Sequence, residues 1–373
     1  MSDSQNKNTA NSPASYNKKR ILILQNTLLH YRKAFYNLLS ERYEVTILHS
    51  GKESVIENED KYREIIVKKK VFGPIILQLQ VLKHVNSGEF DTVIAMCDLH
   101  WVNNIVALYF HPKNTKFIWW GSWFTNKYWV DKLKTYLAQR ADSNIFYSEA
   151  AKADFKPHVT GSKLFVANNT FDVGKRVKAY EYADKKRILF VGSLDERKQN
   201  DVLIKSFYNI VVKINPSIQL TIIGEGAQRA NLEALVNTLK LNNRVTFEGK
   251  INAPEILETY YAESIVSVSF GQAGLSVLQS LGYGVPFLTK KNAISGGEKT
   301  NIKDGLTGIF CDDNPVSLEK SLLTFCSDLT YARKLGENAY NYYSRFCTIE
   351  NMAQGFSDAI ENTRHSEVSS LTK

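Results

Sequence analysis

No run of about 18 consecutive apolar residues occurs in this 373-residue chain, so no segment has the length and apolarity of a membrane-spanning helix. Cysteine is scarce as well. The four thiols, Cys97, Cys311, Cys326 and Cys347, lack the short spacings of a metal site and no secretory signal precedes them, so reduced thiols in a cytoplasmic protein are expected. The turn after the first apolar run, Gln25-Asn26-Thr27, has no glycine, which excludes a dinucleotide-binding G-x-G-x-x-G there, and a Walker loop is also missing. Gly224-Glu225-Gly226 follows an apolar run, but Ala227 and Gln228 do not complete the fingerprint, and a tight turn is the simpler reading. Neither an Asp-x-Asp nor a repeat of 20–50 residues is present.

What is present is ample apolar material. With 43% apolar residues the chain can fill about two globular domains at roughly 100–200 residues each. The net charge of +9 is unevenly spread: residues 1–180 hold 26 Lys and Arg against 16 Asp and Glu, whereas 181–373 hold 21 against 22. The polar start, residues 1–18, is expected to be a disordered tail.

Arg20-Ile-Leu-Ile-Leu24 is a short continuous apolar run, the pattern of a parallel strand buried on both faces. Val45–Leu48, Ile65–Val67, Thr92–Ala95, Phe117–Trp119 and Asn144–Tyr147 repeat it, with room for crossover helices between them. A second series, Ile188–Val191, Leu220–Ile223, Val245–Phe247, Ile265–Ser269 and Pro286–Thr289, begins after a charged stretch. Between its first two members Leu203, Ile204, Phe207, Ile210 and Val211 make one apolar helical face. The expected fold class is therefore α/β, with two doubly wound Rossmann-like domains facing across a cleft: residues 19–171 and 188–345, joined by a linker over 172–187. In such sheets ligands sit at the carboxyl ends of the strands, so the loops there hold the candidates.

Ser269 to Pro286 is the richest of them. A small-residue turn, Gly271-Gln272-Ala273-Gly274, precedes a helix marked by Leu275, Leu278 and Leu281, and free N–H groups at such a turn suit a phosphate; close helix packing on a sheet wants the same glycines. Asp195-Glu-Arg-Lys198 lies after another strand and reads either as a second phosphate-binding loop or as a solvated turn.

Together these segments resemble the carboxyl-terminal domain of retaining family-4 glycosyltransferases, the glycosyl transferases group 1, of GT-B fold. The resemblance rests on Phe190-Val-Gly-Ser-Leu-Asp-Glu-Arg-Lys198, Asp201-Val-Leu-Ile204, Leu220-Thr-Ile-Ile-Gly-Glu-Gly226 and Arg244-Val-Thr-Phe-Glu-Gly249. It continues through Gly274-Leu-Ser-Val-Leu-Gln279, Gly284-Val-Pro286 and Ile302-Lys-Asp-Gly-Leu-Thr-Gly308, about 130 residues in all, with Asn168-Asn-Thr-Phe-Asp172 matching the turn before the linker. It implies a nucleotide-diphosphate sugar held mainly by the second domain and transferred with retention, without a metal or other cofactor. Lys198 falls on the family's diphosphate lysine, and Ser193 replaces its usual arginine partner, for which Arg197 can substitute. Gln272, Ala273, Gly274 and Leu275 fall on the phosphate-contacting turn, and Gly224 and Lys250 on the donor side. Of two glutamates usually eight positions apart, this chain has Gly271 and Gln279; the glutamine can bond a ribose hydroxyl, whereas the glycine supplies no carboxylate. Glu298, in Ser295-Gly-Gly-Glu298, is a candidate replacement acid, with a surface glutamate as the competing reading.

In the first domain the resemblance makes the first β–α loop the acceptor side, so Asn26, His30 and Arg32 are the candidates there, with Trp123 able to stack on a sugar. Lys198, Arg197 and His30 are the expected catalytic residues. Lys68-Lys-Lys70 next to Val71-Phe-Gly-Pro-Ile-Ile-Leu77 joins charge to apolar surface, and an anionic membrane surface is a better expected partner than nucleic acid, for which no module is recognisable. A final helix over 346–365 is expected to pack back on the first domain. The resulting expectation is a cytoplasmic or peripheral inner-membrane transferase that uses a glycan or lipid-linked acceptor in bacterial surface polysaccharide or lipopolysaccharide synthesis. A catalytically degenerate nucleotide-sugar-binding partner and a GT-B nucleotide-sugar epimerase are the alternatives.

Overall fold

The computed structural model describes residues 18–51, 56–121, 124–125, 127–160, 163–174 and 177–363. The expected tail therefore lies outside the described residues except for Lys18. In the first half the strands are β1 (Arg20–Leu24), β2 (Glu44–His49), β3 (Arg63–Ile66), β4 (Lys69–Phe72), β5 (Ile75–Gln78), β6 (Thr92–Met96), β7 (Lys116–Trp120), β8 (Ser143–Phe146) and β9 (Lys163–Val166). They alternate with α1 (Lys33–Arg42), α2 (Val81–Val85), α3 (Val102–Phe110), α4 (Tyr128–Arg140) and α5 (Glu149–Phe155). The second half has β10 (Arg187–Val191), β11 (Gln219–Ile223), β12 (Val245–Gly249), β13 (Ser264–Val268), β14 (Phe287–Lys290) and β15 (Gly308–Cys311). Its helices are α6 (Asn200–Ile210), α7 (Arg229–Thr238), α8 (Pro254–Ala262), α9 (Ser276–Gly282), α10 (Pro315–Ser327), α11 (Leu329–Phe346) and α12 (Ile349–Glu361).

Two all-parallel sheets result, ordered β3-β2-β1-β6-β7-β8-β9 and β12-β11-β10-β13-β14-β15. The apolar runs are continuous because helices cover both faces of each sheet. In β1, Ile21 and Ile23 join the core beneath α1 and α12, while Leu22 and Leu24 join the core beneath α2, α3 and α4. In β10, Ile188 and Phe190 point one way and Leu189 the other. The helical face foreseen between β10 and β11 is α6, with Leu203, Ile204, Phe207 and Ile210 all buried.

Two crossovers tie the domains side by side. Asn168 donates to the Phe346 carbonyl at 3.0 Å and the Tyr343 hydroxyl to the Phe171 carbonyl at 2.6 Å. After the second crossover α12 runs back over the first sheet, where Met352, Phe356, Ala359 and Ile360 fill its core. Gly355 is required there, since a Cβ would stand 2.2 Å from the Val166 carbonyl oxygen.

The sequence reading did not anticipate the antiparallel β4–β5 hairpin, β9 or β15. The hairpin is exposed on most of its residues, so neither a continuous run nor an alternating pattern marks it.

Candidate functional site

Strand order reverses on either side of β1 and of β10, so the crevice at each sheet opens between β1 and β6 and between β10 and β13. Four loops meet these crevices: residues 25–32 and 97–101 in the first domain, 192–199 and 269–275 in the second.

The 192–199 loop is pressed onto its neighbours by glycines. A Cβ on Gly224 would lie 1.8 Å from the Gly192 carbonyl oxygen, and one on Gly226 would lie 2.3 Å from that of Leu194. Asp195 caps the following 3-10 turn, Glu196–Lys198, by accepting from the Arg197 N–H. Gln199 then takes a left-handed conformation, φ 54°, that turns the chain into α6. This folding buries Lys198 to 7% exposure beside Gly192. Burial lowers its pKa from the usual lysine value; Asp195 and Glu298 oppose that shift, and Arg197 adds to it. Ser193 donates to Asp195 at 2.7 Å. Arg197 is exposed, and both its Nε and Nη2 bond Asp195, at 3.2 and 3.0 Å. The expectation that Arg197 takes over from the absent arginine meets this ion pair: its charge is already matched by a neighbouring carboxylate.

The 269–275 loop docks on the first. The Gly271 N–H donates to the Lys198 carbonyl at 3.1 Å, and a Cβ on Gly271 would stand 2.1 Å from the Arg197 carbonyl oxygen. Gly271 is thus where two backbones touch, and a carboxylate cannot be placed there with the loops as they are. Gln272 bridges Ile294, and Ala273 donates to the Ile294 carbonyl at 2.8 Å, which fixes the turn from the other side. Gly274 faces open space, with nothing within 4 Å of its would-be Cβ. The helix after it, α9, has seven residues, shorter than the apolar pattern suggested. Gln279 is buried, its amide oxygen accepting from the Tyr261 hydroxyl at 3.3 Å, which leaves its NH2 end and one lone pair of the oxygen for a ribose.

Glu298 is not a surface residue. It is 7% exposed, and its Oε2 accepts from the Gly296 N–H at 3.0 Å and the Ser295 hydroxyl at 3.3 Å. Its Oε1 accepts from Asn169 at 2.8 Å, and the Asn169 oxygen accepts from Arg32 at 2.7 Å. A buried polar chain thus runs from the first domain through the crossover into the second. This corrects the reading of Arg32 as an acceptor contact. At 6% exposure the guanidinium lies over the Trp120 and Tyr31 rings, 4.9 and 5.3 Å from their centroids, and its Nη1 and Nη2 donate to Met352 and Asn169, so it is turned to the domain junction rather than to an acceptor.

His30 does reach the cleft. It is exposed, and its pKa is lowered by partial burial and then by the positive charge of Lys250, which belongs to the second domain and is itself exposed. Asn26 donates to Asp98 at 3.3 Å, while its own oxygen is buried without a hydrogen-bond partner. Asp98 also accepts from the backbone N–H of His100 at 3.1 Å and pairs with its Nδ1 at 2.9 Å. Asp98 and His100 were missed in the sequence. The strand-order rule points to the loop after β6, but only once β6 is known to lie beside β1. Trp123 lies outside the described residues; of the other tryptophans, Trp101, Trp119 and Trp120 are core and Trp129 is exposed.

Residues 175–342 match the family described as glycosyl transferases group 1. An uncharacterized glycosyltransferase of Haemophilus influenzae is 27% identical over 256 residues, 66% of this chain and 69% of that protein. The poly(glycerol-phosphate) alpha-glucosyltransferase of Bacillus subtilis is 26% identical over 248 residues, 64% of this chain, but the match spans only 36% of that enzyme. The match likewise spans less than half of two uncharacterized glycosyltransferases of Methanocaldococcus jannaschii, 43% and 42% of their lengths. Among solved structures, Anabaena Alr3699/HepE in complex with UDP superposes with a TM-score of 0.70 at 15% identity, covering 92% of this chain and 100% of that one. The fold is that of GT-B glycosyltransferases.

Proposed function

We propose that this chain, whose residues 175–342 match the glycosyl transferases group 1, moves a sugar from a nucleotide-diphosphate sugar to a glycan or lipid-linked acceptor with retention of configuration. The observation that carries the reading is the buried Lys198 ammonium beside Gly192, on a loop that Gly271 fastens to the one holding the open turn at Gly274. A buried cation whose ammonium is only partly offset by the charges of Asp195 and Glu298 is prepared for an anion, and the diphosphate of a leaving nucleotide is such an anion. The relative crystallised with UDP supports the same donor class.

In the proposed reaction the bond from the anomeric carbon to the diphosphate oxygen breaks, and the electron pair leaves with the nucleoside diphosphate. Lys198 and the backbone at Gly274 and Leu275 stabilise that charge; Gln279 and Lys250 help hold the nucleotide. The acceptor hydroxyl attacks from the face the phosphate leaves and passes its proton to the departing phosphate oxygen, so a separate base is not needed. No residue in this sequence of steps calls for a metal. Asn26, Asp98 and His100 on one side and His30 on the other orient the acceptor, and Glu298 keeps the two domains in register. No helix of the described residues is long and apolar enough to cross a membrane. We place the enzyme at the cytoplasmic face of a bacterial membrane, in the synthesis of surface polysaccharide or lipopolysaccharide.

Gly271 favours one alternative, a partner protein that binds the nucleotide sugar without turning it over. A thermal-shift panel of uridine, guanosine and other nucleotide-diphosphate sugars, followed by a donor-hydrolysis assay, separates the readings. Stabilisation with slow donor hydrolysis supports the transferase, and stabilisation without any turnover supports the partner protein. No stabilisation by any donor removes both.

A further inference from the structure

Cations and exposed aromatic side chains are concentrated on one outer face of the first domain. On α4, Tyr128, Trp129, Lys132, Leu133, Tyr136 and Arg140 share a side of the helix, opposite the buried Lys134, Leu137 and Ala138. Trp129 is 75% and Tyr128 70% exposed. The neighbouring α3 ends in Tyr109 and Phe110, the latter 65% exposed. Contacts make this one surface. Arg140 lies 5.2 Å from the Tyr109 ring and 4.5 Å from that of Tyr136, and Lys132 lies 5.6 Å from that of Trp129. Tyr128, Lys132 and Tyr136 also line an open groove of about 690 Å³ against Phe124 and His158.

The β4–β5 hairpin extends the same side. It is seated on the start of α3, with the Ile76 N–H donating to the His100 carbonyl at 2.7 Å and that of Gln78 to the Asn103 side chain at 2.6 Å. Its turn lifts Val71 and Phe72 into solvent, 59% and 58% exposed, next to Lys68, Lys69 and Lys70. Because α2, α3 and α4 cover one face of the sheet and α1 and α12 the other, the outward sides of α3 and α4 look the same way.

We propose that this face, formed by α3, α4 and the β4–β5 hairpin, seats the protein on an anionic lipid surface. The inference deepens the membrane-borne acceptor reading above and rests on it for its biological sense. Charge complementarity selects the occupant. Of the nine Lys and Arg in residues 68–79 and 101–140, Lys134 is buried and Lys116 turns to α12; the other seven are accompanied by one acid, Asp131, whose Oδ1 accepts from the backbone N–H and hydroxyl of Thr125 at 2.7 and 2.9 Å. Tyrosine and tryptophan with lysine and arginine among them suit the headgroup layer, where rings bury their faces and cations meet lipid phosphates. Val71, Phe72, Leu133 and Phe110 would enter the acyl boundary, a role that an aqueous polyanion such as nucleic acid would not give them.

The test is flotation of the full chain at physiological salt with vesicles of phosphatidylcholine alone and of phosphatidylcholine with about 30% phosphatidylglycerol, the added anionic lipid supplying the attraction. The wild type should float with the anionic vesicles only. K132E combined with R140E should weaken that binding at least tenfold, and W129A combined with F72S should weaken it severalfold, while nucleotide-sugar thermal shifts stay at the wild-type value in both. The proposal is overturned if the wild type does not float, if both double variants float as well as wild type, or if they instead abolish self-association or nucleic-acid binding while flotation is unchanged. Flotation is read without a donor and donor stabilisation without vesicles, so failure of the docking surface and failure of the transferase reading appear in different measurements.

Discussion

After β10 the chain turns through backbone contact alone, with Gly224 and Gly226 against the carbonyls of the 192–199 loop and Gly271 against Arg197, and a single lysine is sealed into the crevice this makes. After β1, the equivalent strand of the other sheet, the crevice is instead lined by side chains: Asn26 bonded to Asp98, Asp98 paired with His100, and His30 in the open. One scaffold thus carries two kinds of site. On the proposed function the second crevice takes a diphosphate, which has the same geometry in every donor, so rigid backbone and one fixed charge would serve it. The first takes an acceptor, which would be read by side chains that can change at little cost to the fold.

If that division is right, the largest effect should come from the fixed charge. Lys198→Ala should lower donor-dependent turnover by about 10²–10³-fold, the usual loss when one preorganised stabiliser of developing charge is removed. The melting temperature without donor should not fall. Turnover within threefold of wild type would end the assignment. The lysine also predicts a pH dependence: since burial lowers its pKa, nucleoside diphosphate affinity should weaken with rising pH before a free lysine would titrate, and the variant should lose that dependence.

Next comes the contact between the donor loops. Gly271→Glu supplies the carboxylate that the family resemblance leads one to expect, yet its Cβ would overlap the Arg197 carbonyl at 2.1 Å. We expect a loss of about 3 kcal/mol in denaturant unfolding and no gain in activity, as overpacking a fixed backbone contact requires. A variant that is both stable and faster would show that the loops move apart and that the glycine is a missing acid after all.

The chain Arg32–Asn169–Glu298 joins the two kinds of site, and cutting it tests whether they are independent. Asn169→Leu leaves a buried guanidinium and a buried carboxylate each short of a partner, at a cost of about 1–3 kcal/mol. Turnover should fall more than donor affinity, because Lys198 and the Gly274 turn are untouched while the domains lose their register. Equal loss of both would make Asn169 merely structural.

How far the sequence foretold this differs between the domains for the same physical reason. The 192–199 and 269–275 loops lie at strand ends marked by buried apolar runs and hold glycines, and both signals are local, so their meeting at the second crevice could be expected before the fold was known. The reason for Gly271 could not, because it depends on Arg197, more than seventy positions away. Arg32 was misread on the same ground: its cage of Trp120, Asn169 and Met352 comes from three distant parts of the chain. The β4–β5 hairpin escaped because both of its faces are largely exposed and its lysines hide any alternation.

The smallest expected effect separates the domains by proton linkage. In each, a partly buried lysine donates to backbone carbonyls: Lys116 under the end of α12, pushed down to about 8, and Lys185 against Ala262 and Ser264, pushed down to about 7, both mainly by desolvation. The unfolded chain keeps these lysines protonated up to about 10.5, so over this range it binds more protons than the folded one, and stability must rise with pH. Above about 9 the thiols of Cys311, Cys326 and Cys347, raised to about 12 by burial, reverse the slope, because the unfolded thiols ionise first. Between pH 7 and 9 the rise should be on the order of 1 kcal/mol after allowance for solvent screening. Lys185→Met should flatten it from pH 7 upward and Lys116→Met only from about pH 8. If neither variant changes the slope of melting temperature against pH, the two lysines are solvated in solution and the packing drawn around them is wrong.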